Sequence, residues 1–101
     1  MQDMELIVFE IISNGGNAKA LVYEAIEASE NGKFKEAREL LNEADTFLNK
    51  AHQVQTDLIQ KEAAGEKTEL SLLFIHAEDQ MAMTEMVQLF SKELIQLYKQ
   101  R

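Results

Sequence analysis

Two titratable residues, His76 and Asp79, interrupt an otherwise apolar stripe in the last third of a 101-residue chain. At about 100° per residue, side chains three and four positions apart share a helix face. Around His76 that face carries Leu72, Asp79, Met83, Val87, Phe90, Leu94 and Leu97. Glu78, Glu85, Lys92 and Gln96 fall on the opposite side. The pattern predicts burial of both groups, and an unpartnered buried charge is costly. Something must offset that cost, whether a partner in the core or a function.

A histidine near neutral pH can serve as a base, a metal ligand or a nucleophile. A Cys–His pair is excluded because the chain has no cysteine. A serine triad lacks its elbow, since none of Ser13, Ser29, Ser71 and Ser91 lies in a glycine-flanked turn after a strand. A zinc site needs more ligands than His76, Asp79 and the distant His52. No glycine-rich phosphate loop follows a strand. What remains is a lone histidine able to carry a group itself, with Asp79 one turn away. On spacing alone, the commoner arrangement is a core histidine with Asp79 as its orienting partner or as a polar device fixing register.

The elements that position these residues are helical. Proline is absent, glycine occurs four times, and 46% of the residues are hydrophobic. The length suits one domain spanning residues 1–101. Asn31-Gly32 and Ala64-Gly65-Glu66-Lys67 divide the chain into three segments, since glycine after a helical run is a common stop. The first runs from about residue 2 to 30, with a kink, bulge or close helix approach expected at Gly15-Gly16. The second begins near Lys33 and carries Phe34, Ala37, Leu41, Ala44, Leu48, Ala51 and Leu58 in steps of three and four, broken by Gln55. The third begins at Thr68, read as the N-cap, and runs to about Gln100.

Three long helices with tight turns predict an all-α, up-down-up antiparallel three-helix bundle. The third helix has a wider apolar arc than two neighbours need: Leu70, Ala77, Met81, Thr84 and Ile95 extend one flank, and Ile75, Ala82 and Met86 the other. Self-association is the simplest use of the excess. His52 reads as a flank residue, and Glu36, Glu39, Glu43 and Asp45 as solvated surface. A net charge of −8 argues against nucleic acid and against an anionic membrane. The N-terminus lacks a signal-peptide pattern, so the cytoplasm is the expected compartment.

At these residues the sequence resembles the enzyme IIA component of the lactose/cellobiose (N,N'-diacetylchitobiose) class of the bacterial sugar phosphotransferase system. The resemblance rests on Ile12-Ser13-Asn14-Gly15-Gly16-Asn17-Ala18-Lys19-Ala20, on Glu24-Ala25 with Gly32-Lys33-Phe34-Lys35-Glu36-Ala37, and on the run from Glu69 to Asp79. It implies a three-helix protomer assembling as a homotrimer. The position of His76 would accept a phosphoryl group from the phosphocarrier protein HPr and pass it to a cysteine of the IIB component. The position of Asp79 would lie near the trimer axis, where three carboxylates gather around a divalent cation such as Mg²⁺. Contact with the membrane would be indirect, through the IIC component. The chain departs from the family pattern with Glu78 where Gln is common and Gln80 where His is common.

A second reading is a non-catalytic helical adaptor. The segment Ala28 to Ala37 is similar to a tetratricopeptide-type turn, in which a small residue, a glycine and an aromatic pack two helices. Such arrays need about three repeats, and the chain has one such turn.

Overall fold

The computed structural model describes residues 4–101 and contains three helices: α1, Met4–Glu30; α2, Phe34–Ala63; and α3, Leu72–Lys99. They form an up-down-up bundle measuring 52 × 20 × 20 Å. The fold class read from the sequence is the one observed. Helix α1 packs along both neighbours, whereas α2 and α3 barely meet. Alanines explain the asymmetry. Ala18, Ala25 and Ala28 of α1 and Ala37 and Ala44 of α2 belong to one cluster, so these two backbones approach closely.

A second cluster fills the other end, from Ile7, Val8 and Ile11 of α1, Ala51 and Leu58 of α2, and Phe74, Ala77 and Met81 of α3. The periodic stripe of α2 is buried as the spacing predicts, with Phe34 packed partly buried at its start. The turn between α1 and α2 closes at Gly32, whose φ of 76° suits a residue without Cβ. There Lys33 N–H donates to the Ala28 carbonyl at 2.8 Å and Gly32 N–H to Ser29 at 3.1 Å, satisfying carbonyls left open at the helix end.

Two local expectations change. Helix α3 begins at Leu72, and its N-cap is Ser71, whose hydroxyl accepts from Phe74 N–H at 3.1 Å. Thr68 therefore lies in the preceding linker. Helix α1 is continuous through Gly15-Gly16, and a Cβ on either glycine would meet nothing within 4 Å. No close helix approach within the chain accounts for that pair.

Polar side chains span the gap between α2 and α3. Gln88 donates to Asp45, and Gln55 donates to Glu78. His52 Nε2 lies 3.0 Å from Glu85 Oε1. Asp45, expected on the solvated surface, is partly buried against α3, whereas Glu36, Glu39 and Glu43 are exposed as expected. Among the described residues, no helix is long and apolar enough to cross a membrane.

Candidate functional site

The core face of α3 is formed by Phe74, Ala77, Met81, Thr84, Gln88, Ser91 and Ile95. This overturns the expectation that the stripe through His76 is the buried one. Both His76 and Asp79 are exposed in the single chain. Leu72 is 84% exposed, Met83 56% and Phe90 62%, while Met81 is 1% exposed. The physical reason is charge. The buried arc, from Phe74 through Met81 to Ile95, holds no ionisable side chain, whereas the other stripe holds His76 and Asp79, for which the single chain offers no buried partner.

The turn that carries His76 is nonetheless fixed. Phe74 and Ala77 flank it in sequence and are buried against α1 and α2, and burying a phenylalanine contributes about 1.5–3 kcal/mol. Glu78, two residues on, is tied to Gln55 on the side facing α2. Anchored on both sides, this turn presents His76 outward. Among the described residues, neither His76 nor Asp79 makes a hydrogen bond or ion pair, so Asp79 does not orient the imidazole here.

His76 is the fifth residue of α3. Its side chain leans toward the helix N-terminus, because Cα–Cβ bonds tilt that way. The first turn of α3 holds no acidic residue, so the partial positive charge there is unopposed by a carboxylate within the turn. The imidazole is thus exposed, free of internal partners and suited to nucleophilic attack.

Asp79 lies on a face that is otherwise hydrophobic from Leu72 through Met83, Met86 and Phe90. Among the described residues of one chain, no three His, Cys, Asp or Glu side chains gather to hold a metal. A hard cation with six or more oxygen ligands would need carboxylates from more than one chain. His52 reaches Glu85, a pairing that sequence patterning missed because both residues read as surface.

A family model for the phosphotransferase system lactose/cellobiose-specific IIA subunit matches residues 6–99. The chain belongs to this IIA family. It is 46% identical over 98 residues to the lichenan-specific phosphotransferase enzyme IIA component of Bacillus subtilis strain 168, spanning 97% of the chain and 89% of that relative. The crystal structure of the cellobiose-specific enzyme IIA from Bacillus anthracis superposes with a TM-score of 0.94 at 44% identity, covering 99% of this chain and 92% of that one. The IIA(chitobiose) of Escherichia coli, solved in solution in complex with HPr, gives a TM-score of 0.84 at 31% identity, with 99% and 97% covered. This IIA-family protein is accordingly a phosphotransferase-system component, as its resemblance led us to expect.

Proposed function

We propose that this IIA protein carries a phosphoryl group on His76, accepting it from phospho-HPr and handing it to a cysteine of a IIB component. The transfer would serve coupled uptake and phosphorylation of a disaccharide of the lactose, cellobiose or chitobiose type. The observation that carries the reading is the presentation of His76: exposed, unpartnered, and held by buried Phe74 and Ala77 on either side. In the first transfer an imidazole nitrogen lone pair of His76 attacks phosphorus. A new N–P bond forms as the donor's bond to phosphorus breaks, and the bonding pair returns to the donor. Such transfers rest on positioning and charge neutralisation. No cationic side chain stands beside His76 on α3, so a donor docked on the exposed surface would supply most of that neutralisation.

The working form in this reading is a cytoplasmic homotrimer. Its seam is the part of the outward face of α3 that carries Asp79, Met83, Met86 and Phe90, uncovered in the single chain, with His76 at its edge and open to a donor. Three copies of Asp79 then meet near the axis, and Mg²⁺ offsets their repulsion. The donor set fits this role, since one carboxylate from each of three copies gives a hard cation the oxygen ligands that the described residues of one chain do not gather. A bound ion there would be structural, and His76 alone would carry the phosphoryl group.

Intact-mass measurement after incubation with phosphoenolpyruvate, enzyme I and HPr tests the assignment. A single acid-labile phosphoryl adduct is expected on the wild type and none on His76→Ala. An adduct that persists in the variant, or no adduct on a trimeric wild type, would refute it.

A further inference from the structure

The end of the bundle remote from His76 holds an open groove of about 240 Å³ between the start of α2 and the end of α3. Its lining includes Arg38, Lys92 and Lys99 and no carboxylate. Its floor is apolar, from Leu41 and Ile95, with the ring of Phe34 at one end. We propose that this groove binds a small organic phosphate, a phosphomonoester on a body of about sugar size.

Charge makes the first argument. Acidic residues outnumber basic ones by 18 to 10 in this chain, yet three cations line one groove. Among the described residues none of the three forms an ion pair, although Lys99 Nζ lies 5.7 Å from the centroid of the Phe34 ring. The neighbouring groove at the same end, between α1 and α2, has the opposite character, lined by Glu24, Glu27 and Glu36 with Lys33. Like charges gathered without a counterion repel, and a dianion placed among them relieves that repulsion.

Size and chemistry make the second. The volume falls below the roughly 300–1,000 Å³ typical of drug-sized ligands. Arg38 offers a planar donor fork and the two lysines offer point charges, both suited to phosphate oxygens. The apolar floor and the Phe34 ring suit the hydrophobic face of a ring, and the Gln96 amide can bond a hydroxyl.

Position makes the third. Lys92 lies sixteen residues beyond His76 on α3, about 24 Å along the helix at 1.5 Å per residue. Around the axis it is turned roughly 160–180° from Phe90 and Met83, so an assembly built on that stripe leaves the groove open.

Amide chemical shifts of the whole protein, titrated separately with glucose 6-phosphate, glucose and inorganic phosphate at constant ionic strength, test the proposal. Saturable shifts centred on residues 34–41 and 92–99 are expected with glucose 6-phosphate. They should be weaker with phosphate and absent with glucose. In the Arg38→Gln/Lys92→Gln variant, affinity should fall by at least about tenfold with the helical signal unchanged. Lys99→Gln, tested alone, should weaken binding as well. The proposal fails if glucose 6-phosphate produces no saturable shift, if inorganic phosphate binds as well as the sugar ester, or if the double variant binds like the wild type.

Discussion

Gln55 of α2 donates its side-chain amide to the carboxylate of Glu78 on α3, while the second oxygen of Glu78 is buried without a partner. The pair stands two residues beyond His76 and joins helices that otherwise barely meet. It also turns an acidic group toward α2 and away from the face on which a phosphoryl group would reside.

Removing the donor should therefore cost more than removing the charge. Gln55→Leu leaves both carboxylate oxygens of a partly buried group unbonded, a loss of about 1–3 kcal/mol. Glu78→Gln removes the charge while keeping an acceptor for Gln55, and should be neutral or mildly stabilising. Urea unfolding of the two variants beside the wild type checks the ordering, and equal midpoints would show that the bond contributes nothing.

Phe74 is the apolar anchor next to His76. Truncating a buried phenylalanine to alanine costs about 3–5 kcal/mol, so Phe74→Ala should lower the unfolding midpoint sharply. It should also slow phosphoryl transfer at temperatures where the protein remains folded, because the turn presenting His76 loses its hold. His76→Ala, by contrast, removes an exposed side chain with no internal bond, and should change stability by less than about 0.5 kcal/mol.

The outward stripe of α3 can be tested separately from the chemistry. Phe90→Glu places a charge on a surface that is apolar and exposed in the single chain. Sedimentation should show smaller particles with helical content retained. Unchanged mass at micromolar concentration would remove Phe90 from any seam.

Asp79 links assembly to metal. If three copies meet around a cation, a chelator at neutral pH should shift the protein toward smaller species, and added Mg²⁺ should restore it. Asp79→Asn removes the mutual repulsion and should make association insensitive to chelator. A wild type indifferent to chelator would argue against the carboxylate cluster.

Ser71 caps α3 through its bond to Phe74 N–H. Ser71→Ala should cost about 1 kcal/mol, while Thr68→Ala, in the linker, should cost little. Thermal unfolding of both variants distinguishes the cap from the residue that sequence reading favoured.

The contrast between these two residues shows where sequence reading stops. Both are good capping residues, and the glycine-bearing break lies upstream of each, so local preference could not choose between them. The stripe of α2 was legible because one face alone carries its large apolar groups. On α3 two apolar arcs compete, and a single chain buries the one free of ionisable groups, which apolar periodicity by itself does not reveal. Hence His76 and Asp79 were identified as the residues of interest, but their exposure was read wrongly. The bridges between α2 and α3 were missed because a polar residue on a helix flank reads as solvated. One signal was available: in antiparallel helices Asp45, His52 and Gln55 run against Gln88, Glu85 and Glu78, in opposite order and over the same ten-residue span.

The placement of the uncovered apolar stripe on α3 also orders events during synthesis. Chains emerge from their N-termini, and structure forms as they do. By the time α3 emerges, α1 and α2 have both been made, and Ile7, Ile11 and Ala51 offer a docking surface for the face that carries Phe74, Ala77 and Met81. Pairing within the chain is local and fast, whereas encounter with another copy waits on concentration. The helix that would aggregate most readily is thus the one whose correct partners are already present when it appears.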